Sequence, residues 1–246
     1  MISRWISFLQ LMLNVQGALH HVASTFAGTR PTADCDETAL RRWLFQHYRH
    51  LTLAHCLCYM PMDARLQKLK LEDLTLLGLL ELDELPQVQS AGAADWLVVI
   101  GWMQAEATDG VRDGRLLPQQ GMQVYAALEH LRTAIGSLRD QLDLNSPNAY
   151  GTQIRLAVDS LCLLVVSCYP VTLFIPNQCL QPWVVVGVAL LFYSFQCASQ
   201  LIVNLQNPFA ASHDSFDADA TMCFSEQAVW ALLRAGFARG GWRAAS

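Results

Sequence analysis

The feature that most constrains the fold of this chain is a long stretch without charge. No Asp, Glu, Lys or Arg occurs between Ser160 and His213. Two apolar runs, Leu156–Ile175 and Trp183–Ile202, share this stretch and are joined by the short connector Pro176–Pro182. A helix needs about 20 mainly apolar residues to cross the bilayer core, and there it satisfies its own backbone hydrogen bonds. The pattern therefore predicts a transmembrane helical hairpin over residues 150–205.

A pair of central helices in a soluble all-α domain is the alternative interpretation. Polar side chains interrupt both runs, and Asp159, near the start of the first, would be costly against lipid. Asp159 follows Arg155 by four residues, so the two side chains can pair on one helix face. Two consecutive runs of this length favour the interpretation as membrane helices. Their polar residues then indicate contacts with partner helices or the lining of a water-filled path.

The overall composition supports the membrane interpretation and excludes one large class of partners. Hydrophobic residues make up 53% of the 246 residues, and charged residues make up 15%. The net charge is −5, with 16 Lys and Arg in total. Nucleic-acid binding requires clustered basic residues, so we expect a lipid bilayer as a partner and no nucleic acid.

The cysteines and histidines do not form a recognisable metal or redox motif. Cys56 and Cys58 are separated by one residue, whereas redox and zinc motifs use two. We therefore expect the eight cysteines to be reduced and to behave as small buried apolar residues. His47, His50 and His55 are close in sequence, but His47 and His55 are too far apart on a helix for one small site. No carboxylate stands at ligand spacing beside them, so no metal is expected there.

The rest of the chain shows helical periodicity and no strand pattern, which predicts an all-α fold. Residues 1–21 are predicted to form an amphipathic helix with the apolar stripe Ile2, Trp5, Leu9, Met12 and Leu13. Residues 22–149 are predicted to form a water-facing helical bundle, because most of the charge lies there. Residues 206–246 combine an acidic segment with a C-terminal helix, Ser225–Phe237.

Two helices of the bundle have clear apolar faces. The first follows a loop, Ser24–Glu37, and ends at Pro61; its apolar face is predicted to consist of Leu40, Trp43, Leu44, His47, Leu51, Ala54 and Cys58. Its opposite face is predicted to carry Arg41, Arg42, Arg49 and His50. The second runs from Pro118 to about Leu142, with an apolar stripe of Met122, Tyr125, Leu128, Leu131, Ile135 and Leu138.

The segment between these two helices is predicted from Leu spacing and from proline and glycine. Asp63–Leu85 is predicted to be helical and Pro86–Ala94 to be a turn. A helix opens at Asp95 and carries Trp96, Val99, Ile100 and Met103 on one face.

Several short motifs occur in an order that is typical of one family of membrane proteins. Asn207-Pro208-Phe209-Ala210, followed by Asp214 and Asp217, resembles the Asn-Pro-Phe-Gly and acidic cluster at the end of the last membrane helix of bestrophins. Pro147-Asn148-Ala149-Tyr150 resembles the Pro-x-x-Tyr before the preceding membrane helix. Ser3-Arg4-Trp5 resembles the Asn-Arg-Trp that ends the pore-lining helix.

The resemblance implies a subunit of an oligomeric, mostly helical anion channel, pentameric in the family, that conducts chloride and in many members bicarbonate. It also implies that the family's first membrane helix and pore neck lie before Met1 and are not in this sequence. The cytosolic aperture would lie near Ser146, Pro147 and Tyr150, although the family has an apolar residue where this chain has Ser146.

The same resemblance suggests a weak calcium site. In animal members, acidic residues after Asn-Pro-Phe bind calcium together with a neighbouring subunit, and the matching residues here are Asn207, Asp214 and Asp217. Ser and His replace several of the family's carboxylates, while calcium prefers six or more oxygen ligands. The alternative is that Asp214, Asp217 and Asp219 are an acidic cap on the next helix, stabilised by its dipole.

Three functions remain open at this point. The first is a bestrophin-like anion channel subunit, possibly truncated, in an integral multi-pass membrane protein. The second is a non-conducting accessory or structural subunit derived from that family. An enzyme is not expected, because no nucleophile and base stand at recognisable spacing.

Overall fold

The computed structural model describes residues 2–29, 37–63, 65–143, 153, 156–163, 182–206 and 218–239. Within these residues all regular secondary structure is helical and no strand occurs, which confirms the all-α prediction. The chain divides into two compact units, one of residues 1–5 and 144–215 and one of residues 6–143 and 216–246.

The larger unit is a helical bundle. Its helices are α1 (Ile2–Ala27, from Ile6 onward), α2 (Glu37–Tyr59), α3 (Leu71–Leu76), α4 (Leu85–Ala91), α5 (Asp95–Arg112), α6 (Pro118–Asp143) and α8 (Ala218–Arg239). Single 3-10 turns occur at Leu66–Lys68 and Gly92–Ala94. In the smaller unit, residues 156–163 are helical and α7 spans Pro182–Gln206.

Helix α5 is central to the bundle because it packs against both α2 and α6. Its buried residues recur every three or four positions and include Val99, Ile100 and Met103. The predicted apolar face of α2 is buried at all seven positions, so that prediction is confirmed. Burying one of the Leu side chains of this face contributes about 1.5–3 kcal/mol relative to leaving it in water.

Helix α1 is longer than predicted, and its buried face is different. The helix continues to Ala27, so the first part of the predicted Ser24–Glu37 loop is helical. Ser24 and Thr25 are tolerated because both hydroxyls donate hydrogen bonds back to the carbonyl of His21, at 2.9 and 2.8 Å. Of the predicted stripe, Met12 is buried as predicted and Leu9 and Leu13 are exposed, while the burial of Ile2 and Trp5 lies outside the described side chains. The buried face consists of Phe8, Met12, Val15, Ala18, Leu19, Val22, Ala23 and Phe26.

The segment between α2 and α5 also differs from the prediction. Asp63–Leu85 is not continuously helical: α3 stops at Leu76, and Gly78 follows with φ +73, a conformation that favours glycine. The predicted turn at Pro86–Ala94 contains α4, where Pro86 is tolerated because it lies in the first turn and no intrahelical donor is lost there.

Two further predictions, one about the buried face of α6 and one about the start of α8, differ from the structure. On α6, Met122 is 75% exposed although it was placed on the apolar stripe; Val124, Ala127 and Ala134 are buried alongside the predicted Leu128, Leu131, Ile135 and Leu138. Helix α8 starts at Ala218, seven residues before the predicted Ser225. Asp219 lies in its first turn, as expected of an acidic N-terminal residue.

The second apolar run, Trp183–Ile202, lies within α7. Of the first run, residues 156–163 are described. The remainder of that run, the connector before Pro182 and Arg155 lie outside the described residues. Within the part of the chain that the structure describes, no helix combines the length and the apolar character needed to cross a membrane.

Candidate functional site

Most of the residues singled out by the motif comparison are outside the described part of the chain. This applies to Ser146, Pro147, Tyr150, Asn207, Pro208, Phe209, Asp214 and Asp217. Arg4 and Trp5 lie in α1. The aperture and calcium site therefore stay predictions.

The bundle itself contains a cluster of buried and partly buried ionisable groups that the sequence patterns did not predict. We call it the α2–α5 polar cluster; it consists of His47, Arg49, His50, Glu84 and Glu106. Arg49 and His50 were predicted to face away from the core, but they are 5% and 1% exposed. That prediction is wrong because carboxylates from outside α2 reach both side chains.

Arg49 and Glu84 form the strongest pair of this cluster. The guanidinium donates two hydrogen bonds to the carboxylate, with Nη1 2.5 Å from Oε2 and Nη2 2.7 Å from Oε1. Arg49 Nη2 also lies 3.2 Å from Glu81 Oε1, on a more exposed side chain. A bidentate ion pair of this kind holds the guanidinium and the carboxylate in one orientation, so it fixes the segment before α4 against α2.

The pKa values of this pair reflect the balance between burial and pairing. Burial alone would raise the pKa of Glu84, but hydrogen bonds from Arg49, from the Glu81 backbone and from His50 lower it to about 2. Burial alone would lower the pKa of Arg49, and the carboxylates of Glu84, Glu81 and Glu106 raise it instead. Both groups are therefore charged at neutral pH.

Glu106, on α5, lies between the two histidines. Its Oε2 is 3.4 Å from His47 Nε2, and its Oε1 is 3.4 Å from His50 Nδ1. His50 Nε2, on the other side of its ring, lies 3.1 Å from Glu84 Oε1 and 3.0 Å from Arg49 Nη2. His50 thus lies between two carboxylates that come from different parts of the bundle.

His47 lies among aromatic side chains. Its ring packs against Phe26 and Trp43, with centroid separations of 4.1 and 4.4 Å. Its Nδ1 lies 2.8 Å from the carbonyl oxygen of Trp43. Burial lowers the pKa of His47 to about 4, although Glu106 opposes that shift, so the imidazole is neutral at pH 7.

The remaining histidine of the predicted group, His55, is also buried and neutral. Burial lowers its pKa to about 3, and nearby His20 adds to the effect. Its ring makes an edge contact with Tyr59 at 4.9 Å. In the described residues, no group of three or more His, Cys, Asp or Glu side chains is arranged to hold a metal ion.

The cysteines follow the expectation in part. Cys56, Cys58 and Cys162 are buried free thiols, while Cys197 and Cys223 are exposed. Burial raises the pKa of Cys56 to about 11 and that of Cys58 to about 12. These two thiols therefore stay protonated and unreactive at neutral pH.

An apolar groove lies between α2 and α8. It has a volume of about 570 Å³ and is lined by Arg41, Leu44, Phe45, Tyr48, Trp230, Leu233 and Arg234. Tyr48 joins the two helices, because its hydroxyl donates to Glu226 Oε1 at 2.5 Å and its ring contacts Trp230 at 5.2 Å. Burial, and then Glu226, raise the pKa of Tyr48 to about 12.

One sequence signal could have indicated part of the polar cluster. Glu106 follows Met103 by three residues and precedes Gly110 by four, so it continues the buried face of α5. An acidic residue at such a position requires a partner inside the bundle. Glu84, 35 residues from Arg49, lies in a segment whose helical bounds the sequence did not predict.

Comparison with known proteins identifies the fold. No protein-family model matches the sequence, and no curated protein matches it either. Among solved structures, a variant of a bacterial bestrophin homologue from Klebsiella pneumoniae has a TM-score of 0.72 and 16% identity, covering 94% of this chain and 79% of that chain. A second variant of this homologue has a TM-score of 0.72 and 16% identity, covering 94% of this chain and 78% of that chain.

A further solved structure, described as a membrane protein, has a TM-score of 0.73 and 14% identity, and covers 95% of this chain and 79% of that chain. Identities this low establish the architecture alone. The resemblance seen in the short motifs is confirmed at that level: the chain has a bestrophin-like fold.

Proposed function

We propose that this chain is a subunit of a membrane channel that conducts chloride or other small anions. The observation that carries the proposal is the bestrophin-like fold over 94% of the chain. The motifs Ser3-Arg4-Trp5, Pro147–Tyr150 and Asn207-Pro208-Phe209 support it independently, because they come from the sequence and occur in the family's order.

The membrane-spanning part is proposed to be the hairpin of the two apolar runs, in an integral multi-pass protein. α7 supports this because large apolar side chains are exposed along it, although Ser194, Gln196 and Gln200 are exposed as well. In the chain by itself the exposed apolar residues include Val186, Leu190, Leu191, Phe192 and Tyr193. A contiguous exposed apolar surface indicates contact with lipid or with another protein.

We also propose a homo-oligomer, a pentamer as the family resemblance implies, with the ion path at its centre. In this arrangement Ser146, Pro147 and Tyr150 are pore residues, and Asn207, Asp214 and Asp217 are a weak calcium site. We propose no enzymatic function, since Arg49, His50 and Glu84 are engaged with one another inside the bundle.

A chloride flux measurement tests the proposal. The full chain is reconstituted into liposomes that enclose a chloride-sensitive dye, and chloride entry is followed after a gradient is imposed. We expect a flux well above that of protein-free liposomes. Ser146→Trp should reduce the flux strongly, because a large ring would narrow the proposed aperture.

Ser137→Trp is the matched control, because Ser137 is an exposed residue of α6 within the bundle. This variant should conduct as the wild type does. Removal of calcium with a chelator tests the weak calcium site separately, and unchanged flux would exclude a calcium requirement. An inserted, oligomeric protein without flux would contradict the channel and favour the accessory or structural subunit.

A further inference from the structure

The groove between α2 and α8 is lined mainly by apolar side chains. Leu44 and Leu233, one from each helix, are buried, whereas the aromatic side chains of Phe45 and Trp230 are 57% and 46% exposed in the chain by itself. A concave site with exposed aromatic side chains is typical of a binding site for a partner with an apolar body.

The two helices run antiparallel along this groove. The Tyr48 hydroxyl donates to Glu226. Eight residues further along α2, burial and then the charges of Asp219, Asp95 and Glu226 raise the pKa of Cys56, so Asp219 lies near Cys56. Because Asp219 precedes Glu226 on α8, the two chain directions are opposite.

The two ends of the groove therefore differ in charge. Tyr48 is the last lining residue of α2, and its partner Glu226 gives that end a carboxylate. Arg41 lies seven residues before Tyr48, and Arg234 lies eight residues after Glu226. A helix rises about 1.5 Å per residue, so both guanidinium groups lie at the other end, about 10 Å away.

This distribution of charge selects the kind of ligand. Arg41 and Arg234 are exposed, and a guanidinium has five N–H donors, so it can bind a carboxylate in addition to a contact within the protein. Glu226 repels an anion from the opposite end. A ligand that matches the groove has one anionic end and one apolar body.

We propose that the groove between α2 and α8 binds a free fatty acid, with its carboxylate at Arg41 and Arg234 and its acyl chain directed towards Tyr48. The volume of about 570 Å³ is within the range of about 300–1,000 Å³ of small-molecule sites, and it suits one acyl chain better than a lipid with two. The site belongs to the bundle alone, so the proposal does not depend on whether the chain conducts anions.

The orientation of the ligand is tested with two photoreactive fatty acids and the full chain in a detergent with an uncharged headgroup. One probe carries its diazirine close to the carboxylate, and the other carries it at the end of the acyl chain. Peptide mass spectrometry locates the labelled residues. We expect the first probe to label residues beside Arg41 and Arg234 and the second to label residues beside Tyr48. The reverse order, or labelling spread over all exposed helices of the bundle, would overturn the proposal.

The role of charge is tested by competition against the same probes. Dodecanoate should compete about tenfold better than dodecanol, and the double variant Arg41→Gln, Arg234→Gln should bind dodecanoate about tenfold more weakly, because two exposed charged contacts are removed. Arg42→Gln is the matched control, since Arg42 is an exposed neighbour on α2 that is not a lining residue, and it should bind as the wild type does. Equal affinities of the wild type and the double variant would overturn the proposal.

A second copy of the chain is the competing occupant of the groove. Phe45→Gln changes an exposed lining residue. It should reduce the labelling several-fold and leave the oligomeric state, measured by native mass spectrometry, as in the wild type. A wild type that is not labelled, together with a Phe45→Gln variant that loses its oligomeric state, would show that another subunit covers the groove and would overturn the proposal.

Discussion

The helical bundle and α7 place their apolar residues in different ways. In α5 and α6, large apolar side chains recur every three or four residues and are buried, as at Val99 and Leu131. In α7 they follow one another directly, and Leu190 and Tyr193 are 62% and 68% exposed in the chain by itself. A helix with one apolar stripe can pack that stripe on its own chain, whereas the exposed apolar residues of α7 need lipid or other protein around them.

Charge distinguishes the two regions as well. The bundle buries Arg49 and two histidines beside the partly exposed carboxylates of Glu84 and Glu106, and these groups form ion pairs and hydrogen bonds with one another. α7 has no Asp, Glu, Lys, Arg or His between Pro182 and Gln206. The stability of the bundle should therefore depend on charge pairing and on pH, while the stability of α7 should depend on neither.

The largest effect is expected when the buried ion pair of the bundle is broken. Arg49→Met leaves the Glu84 carboxylate without its main partner, which typically costs about 3–5 kcal/mol. Urea unfolding measures this loss. The double variant Arg49→Met, Glu84→Leu removes both charges and should recover most of the stability. A single variant as stable as the wild type would contradict the structural role of the pair.

A matched pair of truncations compares the two regions directly. Leu131→Ala removes a fully buried side chain of α6 and should destabilise the bundle by about 2–5 kcal/mol. Leu190→Ala removes an exposed side chain of α7 and should change the free energy of unfolding in detergent by less than about 0.5 kcal/mol. Equal losses would show that α7 packs as the bundle does.

Acid should also affect the stability of the two regions differently. Burial holds the pKa of His55 near 3, so the folded chain resists a proton that the unfolded chain accepts. The contribution of His55 to stability is therefore complete above pH 6.5 and is lost as the pH falls towards 3, by about 4 kcal/mol in total at up to about 1.4 kcal/mol per pH unit. His55→Phe should flatten this dependence in urea titrations, whereas a residue-matched control, His130→Phe, should not.

The smallest effects concern two glycines of the bundle. A Cβ on Gly121 would lie 2.5 Å from Val111 Cγ2, so Gly121→Ala should destabilise by about 1–2 kcal/mol. A Cβ on Gly101 would have no atom within 4 Å, so Gly101→Ala should stabilise by about 0.5–1 kcal/mol. Thermal unfolding of the two variants compares them, and a stabilising Gly121→Ala would contradict the tight contact of α5 with α6.

Periodicity in the sequence was sufficient to predict the all-α fold and much of the core. The buried faces of α2 and of α6 from Leu128 to Leu138 follow from spacing alone, because burial selects one stripe of each helix. Gly and Pro were less informative. Pro86 suggested a turn but lies within the first turn of α4, and Ser24 and Thr25 suggested a loop but bond to their own helix.

The position of Glu106 on the buried face of α5 could be predicted, but the pairing within the polar cluster could not, because the partners are distant in sequence. Arg49 looks like a solvent-facing residue until Glu84 is placed beside it, and His47 looks like a core residue until Glu106 faces its Nε2. Pairwise geometry of this kind is set by helix packing, which periodicity does not encode. The motif resemblance, by contrast, indicated the fold that the comparison of structures confirmed.

The most direct measurement of the proposed function is the reversal potential of the current through the full chain in a planar bilayer, with unequal chloride concentrations on the two sides. An anion channel predicts a reversal potential close to the equilibrium potential of chloride, which moves with the chloride gradient. A reversal potential at the equilibrium potential of the cation, or an inserted oligomer that passes no current, would contradict an anion channel.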